Sequence, residues 1–191
     1  MPELPEVETI RKGLEKVLVG QKINLVDVRV KKLFYGNSKK LKNQTITKVN
    51  RRAKILIIQL SSSVLLIHLK MTGQLIYLPK KGKPVVGGHP DKVYSMNLPH
   101  KHSHIIFKLS KGTLFYNDLR KFGWIKIYKS LEEAAHEFDK LGPEYTWPEY
   151  TINHIRQRLA KRQNITIKQA LLEQSLVAGV GIYMPMKPYS L

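Results

Sequence analysis

No cysteine occurs anywhere in the 191 residues. That excludes disulfides, thiolate nucleophiles and any zinc site built on sulfur. Long hydrophobic runs are missing too. The longest, Ile55 to Ile58 and Val64 to Ile67, are strand-sized, far short of the ~20 residues of a membrane helix. A secretory leader is not expected, because Glu3, Glu6 and Glu8 stand where a basic n-region would be. Acids are scarce: 14 Asp and Glu face 33 Lys and Arg, a formal net charge of +19. The natural partners of such a chain are polyanions, nucleic acid before membrane surfaces. With 42% hydrophobic and 25% charged residues the composition is globular, and the length admits one domain or two small ones. The expectation is a cytoplasmic monomer. Composition alone slightly favours a basic, RNA-binding protein of ribosomal type over an enzyme.

Periodicity then divides the chain. Val7, Ile10, Leu14, Val17 and Leu18 recur at helical spacing and Gly20 stops the run, which predicts a helix over 5–18. From Ile23 the pattern becomes strand-like. Runs over 23–30, 45–49, 54–60, 64–69, 74–78, 104–109, 113–116 and 124–128 argue a β-sandwich or barrel. The stretch 79–99, rich in Lys, Gly and Pro, reads as a long, mobile loop. Beyond Tyr128 the helical period returns: a helix over 131–141 ended by Gly142-Pro143, a second over 152–161 with Thr151 as N-cap, and a third over 166–176. The predicted organisation is a β-rich domain over 1–130, a linker over 131–150 and a helical domain over 151–191.

The first eight residues, MPELPEVE, hold three of the 14 acids. Acids and proline suit the first turn of a helix, which accounts for Glu6 and Glu8 better than for Pro2 and Glu3. If Met1 is removed, Pro2 carries a free secondary amine. An α-amino group has a pKa of about 7.7–8.0, well below that of lysine, so it can attack an aldehyde-level sugar carbon and form an iminium. Glu3 stands beside it as a proton donor or acceptor.

PELPEVETIRKGL at the start, RRAKILI (51–57), HLKMTG (68–73), KHSHIIF (101–107), YNDLRKFG (116–123), LGPE (141–144) and IKQALLEQSLVAGVG (167–181) occur in this order along the chain. Together they closely resemble the bacterial formamidopyrimidine-DNA glycosylase (Fpg) family, and the resemblance covers nearly the whole length. It implies an α+β fold: an N-terminal helix plus β-sandwich, followed by an incomplete helix-two-turn-helix domain. It implies a base-excision-repair glycosylase and AP lyase. Such an enzyme removes oxidised purines, chiefly 8-oxoguanine and formamidopyrimidines, from double-stranded DNA and also acts at abasic sites. Pro2 matches the nucleophile that attacks C1′, Glu3 the proton donor and acceptor at the sugar, Glu6 a glutamate near the same sugar, and Lys54 a lysine that holds phosphate at the lesion. Met71, Arg120 and Phe122 match the side chains that fill the hole left by the flipped nucleotide, a chemistry suited to apolar wedges and a hydrogen-bonding guanidinium. His102 and Lys168 match phosphate contacts, which position a duplex without reading its sequence. The implied location is bacterial, cytoplasmic and nucleoid-associated.

The sequence also departs from that pattern. Lys70 stands where the family usually has Gly, and Lys121 where it has Arg. Ile182 follows Gly181 in place of an asparagine. The second long helix of the helix-two-turn-helix and the zinc finger are not found, so no cofactor is expected in this chain, and a truncated, impaired enzyme is. With its packing partners gone, the helical domain is expected to expose Leu171, Leu172 and Leu176. One added nucleotide after the Gly181 codon converts a coding of GIYMPMKP into GNIYADEA, which resembles the family's continuation and raises the expectation of a frameshift. Two alternatives stand beside the enzyme: a non-catalytic basic DNA-binding fragment, and a basic RNA-binding protein. The Pro2-Glu3 pair argues against the second.

Overall fold

The computed structural model describes residues 2–88, 97–148, 150–160 and 165–181. The reading of the tail from Ile182 onward lies outside them. The chain forms two compact units that divide between Ala134 and Ala135.

The first unit opens with helix α1, Leu4–Leu18. Leu4, Val7, Ile10, Leu14 and Leu18 are its buried face, each worth roughly 1.5–3 kcal/mol when fully withdrawn from water. Pro5 sits in the first turn, where its missing N–H costs no helical bond, and Gly20 at φ +81° turns the chain away. Among the described residues ten strands follow: β1 (Ile23–Val28), β2 (Phe34–Tyr35), β3 (Ile46–Arg52), β4 (Ile55–Leu60), β5 (Val64–His68), β6 (Gly73–Pro79), β7 (Val85–Gly88), β8 (Ser103–Leu109), β9 (Gly112–Asp118) and β10 (Trp124–Tyr128). They make two five-stranded sheets, β1-β8-β9-β6-β7 and β2-β10-β5-β4-β3. Pairing is antiparallel throughout except between β2 and β10. A common core joins the two sheets and α1, with Leu56, Ile67, Leu75, Ile105 and Tyr116 among the fully buried side chains. The expected β-sandwich is the observed one.

Two strands fall where the sequence showed none. β7 lies inside the stretch read as a loop and pairs with β6, from Gln74 opposite Gly88 to Tyr77 opposite Val85. Its signal is hidden because two of its four residues are glycine. Gly87 is needed for close approach: a Cβ there would come within 2.5 Å of Ile10 Cγ1 on α1. β2 is too short to show a period.

The first unit ends in α2, Leu131–Ala134. The helix expected over 131–141 stops there and continues only as a 3₁₀ turn, Ala135–Glu137. The second unit holds α3 (Ile152–Ala160) and α4 (Ile167–Leu172). Thr151 caps α3, accepting from His154 N at 3.1 Å. Thr166 caps α4 in a capping box with Gln169. The helix read over 166–176 ends at Leu172 because the chain turns to pack Leu176, Val177 and Val180 against Ala170. Leu176 is therefore buried, contrary to expectation, while Leu171 and Leu172 are half-buried. Residues 142–144, read as linker, belong to this unit: Gly142 N donates to Gln174 O, and Glu144 forms a bridge with Ala178. No helix among the described residues is long and apolar enough to cross a membrane.

Candidate active site

The start of α1 builds the first part of the site. Pro2 is buried, and Glu3, the N-cap residue, is only 3% exposed. Glu3 and Glu6 form a capping box in which Glu3 N–H donates to Glu6 Oε2 at 2.6 Å. The two carboxylates are thus held on the first turn, where the helix dipole favours them. Glu8, one turn on, accepts from Arg11 at 2.9 Å and from Arg51 of β3 at 2.8 Å. Burial pushes its carboxyl up, but the hydrogen bonds from Arg11 and Arg51 outweigh this and hold it below the usual carboxylate range. The Arg51 bond ties this part of α1 to β3.

Lys54 comes from the tight turn between β3 and β4, where Ala53 adopts φ +50°. Only 5% of Lys54 is exposed. Burial lowers its pKa; the charges of Glu3 and Glu6 pull it back up and that of Lys70 lowers it further. Glu3, Glu6, Lys54 and Lys70 therefore share one electrostatic environment beside Pro2. Lys70 is a member that sequence reading treated only as a departure. Its backbone is at φ +52°, a conformation that glycine adopts without strain, which is a physical reason for the glycine that the resemblance puts there.

The second part of the site lies on two loops. Met71 follows β5, and Arg120 and Phe122 follow β9. Met71 is 43% and Phe122 53% exposed, so both side chains are available to a partner. Arg120 joins them: its Nη1 donates to Met71 Sδ at 3.1 Å and its Cζ lies 4.5 Å from the centre of the Phe122 ring. Met71, some fifty positions from Arg120 and Phe122 in the sequence, thus joins them in one cluster. Lys121 between Arg120 and Phe122 has φ +55°.

His102 sits in the turn before β8, half-buried, in a file of rings with His100 at 5.9 Å and His104 at 6.4 Å between centroids. Burial, then Lys101, His100, His104 and Lys121, lower its pKa. A neutral ring at pH 7 can donate one hydrogen bond to an anion. Lys168 is exposed on α4, in the second unit. His68, not singled out in the sequence, accepts from Lys70 N at Nδ1 (3.0 Å). Asp118, also missed, is fully buried at the end of β9. Its only sequence signal is that it is the one acid inside a basic motif. The donors of a structural zinc do not fit here: there is no cysteine, and no three His, Asp or Glu side chains converge among the described residues.

Residues 1–125 match the family model of the formamidopyrimidine-DNA glycosylase N-terminal domain. The chain is 37% identical over 187 residues to the formamidopyrimidine-DNA glycosylase of Streptococcus pneumoniae and 38% over 188 residues to that of Ligilactobacillus salivarius, in each case covering 95% of this chain. It spans 62% of the length of those relatives. Among solved structures, the Lactococcus lactis enzyme non-covalently bound to DNA containing an AP site superposes with a TM-score of 0.79 at 34% identity, over 94% of this chain and 65% of that one. MutM in complex with DNA containing carbocyclic 8-oxo-G matches equally well, with a TM-score of 0.79.

Proposed function

The chain belongs to the formamidopyrimidine-DNA glycosylase family, and from that premise we propose that it excises oxidised purines from double-stranded DNA and cleaves the strand at the abasic site. Pro2, freed by loss of Met1, attacks C1′ with its secondary amine. The N–C1′ bond forms as the glycosidic bond breaks, and the base leaves with a proton. Loss of the sugar ring closure gives an iminium, whose electron-withdrawing character makes the C2′ proton labile, so that the 3′ phosphate is expelled by β-elimination. Glu3 gives and takes protons at the sugar, Glu6 holds its backbone N–H, and Lys54 binds phosphate at the lesion. Met71, Arg120 and Phe122 occupy the gap left when the nucleotide leaves the stack. His102 and Lys168 grip phosphate. The work is that of a nucleoid-associated bacterial protein.

The observation that carries this reading is the burial of Pro2, Glu3 and Lys54 together at the head of α1. A buried carboxylate and a buried lysine are costly to keep, and they stand beside the residue whose amine the chemistry needs. Reduction with borohydride on duplex DNA holding an abasic site tests it: the protein should become covalently linked. Pro2→Gly, or acetylation of the N-terminus, should reduce linkage at least tenfold. Binding of the same DNA with no reducible adduct would replace the catalytic reading with that of a basic DNA-binding fragment. The family match removes the alternative of an unrelated RNA-binding protein.

A further inference from the structure

We propose that Asp118 is a positioning residue for the wedge: its buried carboxylate ties the loop of Met71 to the loop of Arg120 and Phe122, so that the three side chains meet DNA as one preassembled unit. The inference rests on the glycosylase reading for what the wedge does, and on geometry for how it is held.

Asp118 is 0% exposed. A buried carboxylate is costly unless its lone pairs are filled, and the fillers here come from both loops. Oδ1 accepts from Thr72 Oγ1 at 2.5 Å, the residue next to Met71. The same oxygen accepts from Arg120 N at 3.2 Å, while Oδ2 accepts from Gly123 N at 2.8 Å. Arg120 N also donates to Thr72 Oγ1 at 3.0 Å, which closes a triangle between the loops. The backbone of Asp118 is held as well: its N–H donates to His102 O at 3.1 Å, and its carbonyl is 2.8 Å from His104 Nε2. The aspartate thus joins β8, β9 and both wedge loops.

The backbone explains why a clamp is needed. Lys70 in one wedge loop and Lys121 in the other are both left-handed, at φ +52° and +55°. A non-glycine residue persists there only when the surroundings impose it. Arg120 N and Gly123 N, both bonded to Asp118, bracket Lys121. Thr72, bonded to Asp118, and His68, which accepts from Lys70 N, bracket Lys70. Glycine at 123 is demanded by the packing beside the clamp: a Cβ there would lie 1.8 Å from Tyr116 Oη and 2.7 Å from His68 O, with Asp118 Oδ2 at 3.2 Å. Because the acceptor is charged, these bonds are about twice as strong as neutral ones.

The test compares the full-length wild type with Thr72→Val, Thr72→Ser and Asp118→Asn. Three quantities are read: excision from an 8-oxoguanine duplex, borohydride trapping on an abasic duplex, and amide hydrogen exchange at Arg120 and Gly123 in free protein. Thr72→Val removes one arm of the clamp from a half-exposed position, so it is expected to fold. It should slow excision roughly ten- to a hundredfold, the worth of a hydrogen bond to a charged group, change trapping less than about threefold, and speed exchange at Arg120 about tenfold. Trapping is spared because an abasic site has no stacked base to expel. Thr72→Ser, which keeps the hydroxyl, should restore all three, and Asp118→Asn should resemble Thr72→Val or exceed it. Equal losses on both DNAs, no recovery with serine, or wild-type exchange at Arg120 would each overturn the proposal. Should the wild type trap no abasic DNA, the glycosylase reading fails by itself. The exchange measurement then decides whether Asp118 clamps the loops: faster exchange supports the clamp and unchanged exchange overturns it.

Discussion

Single residues in this protein act through the backbone conformation and burial that their neighbours impose. His68 is the plainest case. Burial first, then the charges of Lys70 and Lys54, push its pKa down to about 3. The neutral ring accepts from Lys70 N at Nδ1, so its own proton sits on Nε2. In the unfolded chain the same histidine takes a proton near pH 6.5. Between those values the unfolded state binds the extra proton, so the contribution to stability is complete above about pH 6.5 and is lost as pH falls toward about 3. His68→Asn keeps a hydrogen-bond acceptor and cannot titrate. Urea midpoints should show the variant less stable than the wild type at pH 7, with the difference narrowing at pH 5 and again at pH 4. A difference independent of pH would mean that His68 takes its proton at the same pH in the folded and unfolded states.

At the scale of elements, α1 carries the reactive end and must be aimed. Its apolar face fixes how deep it lies, but an apolar face is non-directional. Direction comes from the bonds to β3: Glu8 receives Arg51 at 2.8 Å, and Arg11, which is itself held by Glu8 and Glu15, donates to Val49 O at 3.3 Å. Glu8→Gln should cost about 1 kcal/mol in thermal or urea unfolding, as expected for partly buried charge-assisted bonds. Borohydride trapping should fall as well, because Pro2 and Glu3 ride on the same helix. Since the arginines hold Glu8 below the ordinary carboxylate range, its contribution is complete above the unfolded pKa and disappears as pH drops through the lower folded value. The stability difference between wild type and Glu8→Gln should therefore close at low pH; the same measurement at pH 7 and pH 3 checks it.

The whole molecule consists of two units with cores of very different size. That of the first extends through both sheets and α1. The second buries Ala170, Leu176, Val177 and Val180, with Tyr150, Leu159 and Ile165 packed alongside. Small cores leave little margin over chain entropy. Hydrogen exchange should therefore protect β4, β5, β8 and β9 most strongly. Amides of α3 and α4 should exchange at least a hundredfold faster, and limited proteolysis should cut within 135–181 before it cuts the sandwich. Equal protection in the two units would show that the second draws stability from more than its own core.

Much of this was legible in the amino-acid sequence because it depends on neighbours along the chain. The period of α1 and the apolar runs of β4 and β5 are local patterns, and they predicted the elements to within a few residues. The charge of +19 is a sum that no folding changes. The motif PELPEVE and its partners pointed to the family and to each candidate residue by number. Where long-range contact decides, local pattern was silent. Val85–Gly88 became a strand only because β6 offers it a partner, and Leu131–Leu141 lost most of its helix to a turn. The lowered pKa of Lys54 and the meeting of Met71 with Arg120 and Phe122 are likewise tertiary. Asp118 shows the division best. In the sequence it is one acid in a basic stretch; in the fold it is buried with both oxygens occupied by groups from loops some fifty residues apart. Burial and hydrogen-bond geometry are properties of atoms brought together in space, and only the folded chain supplies them.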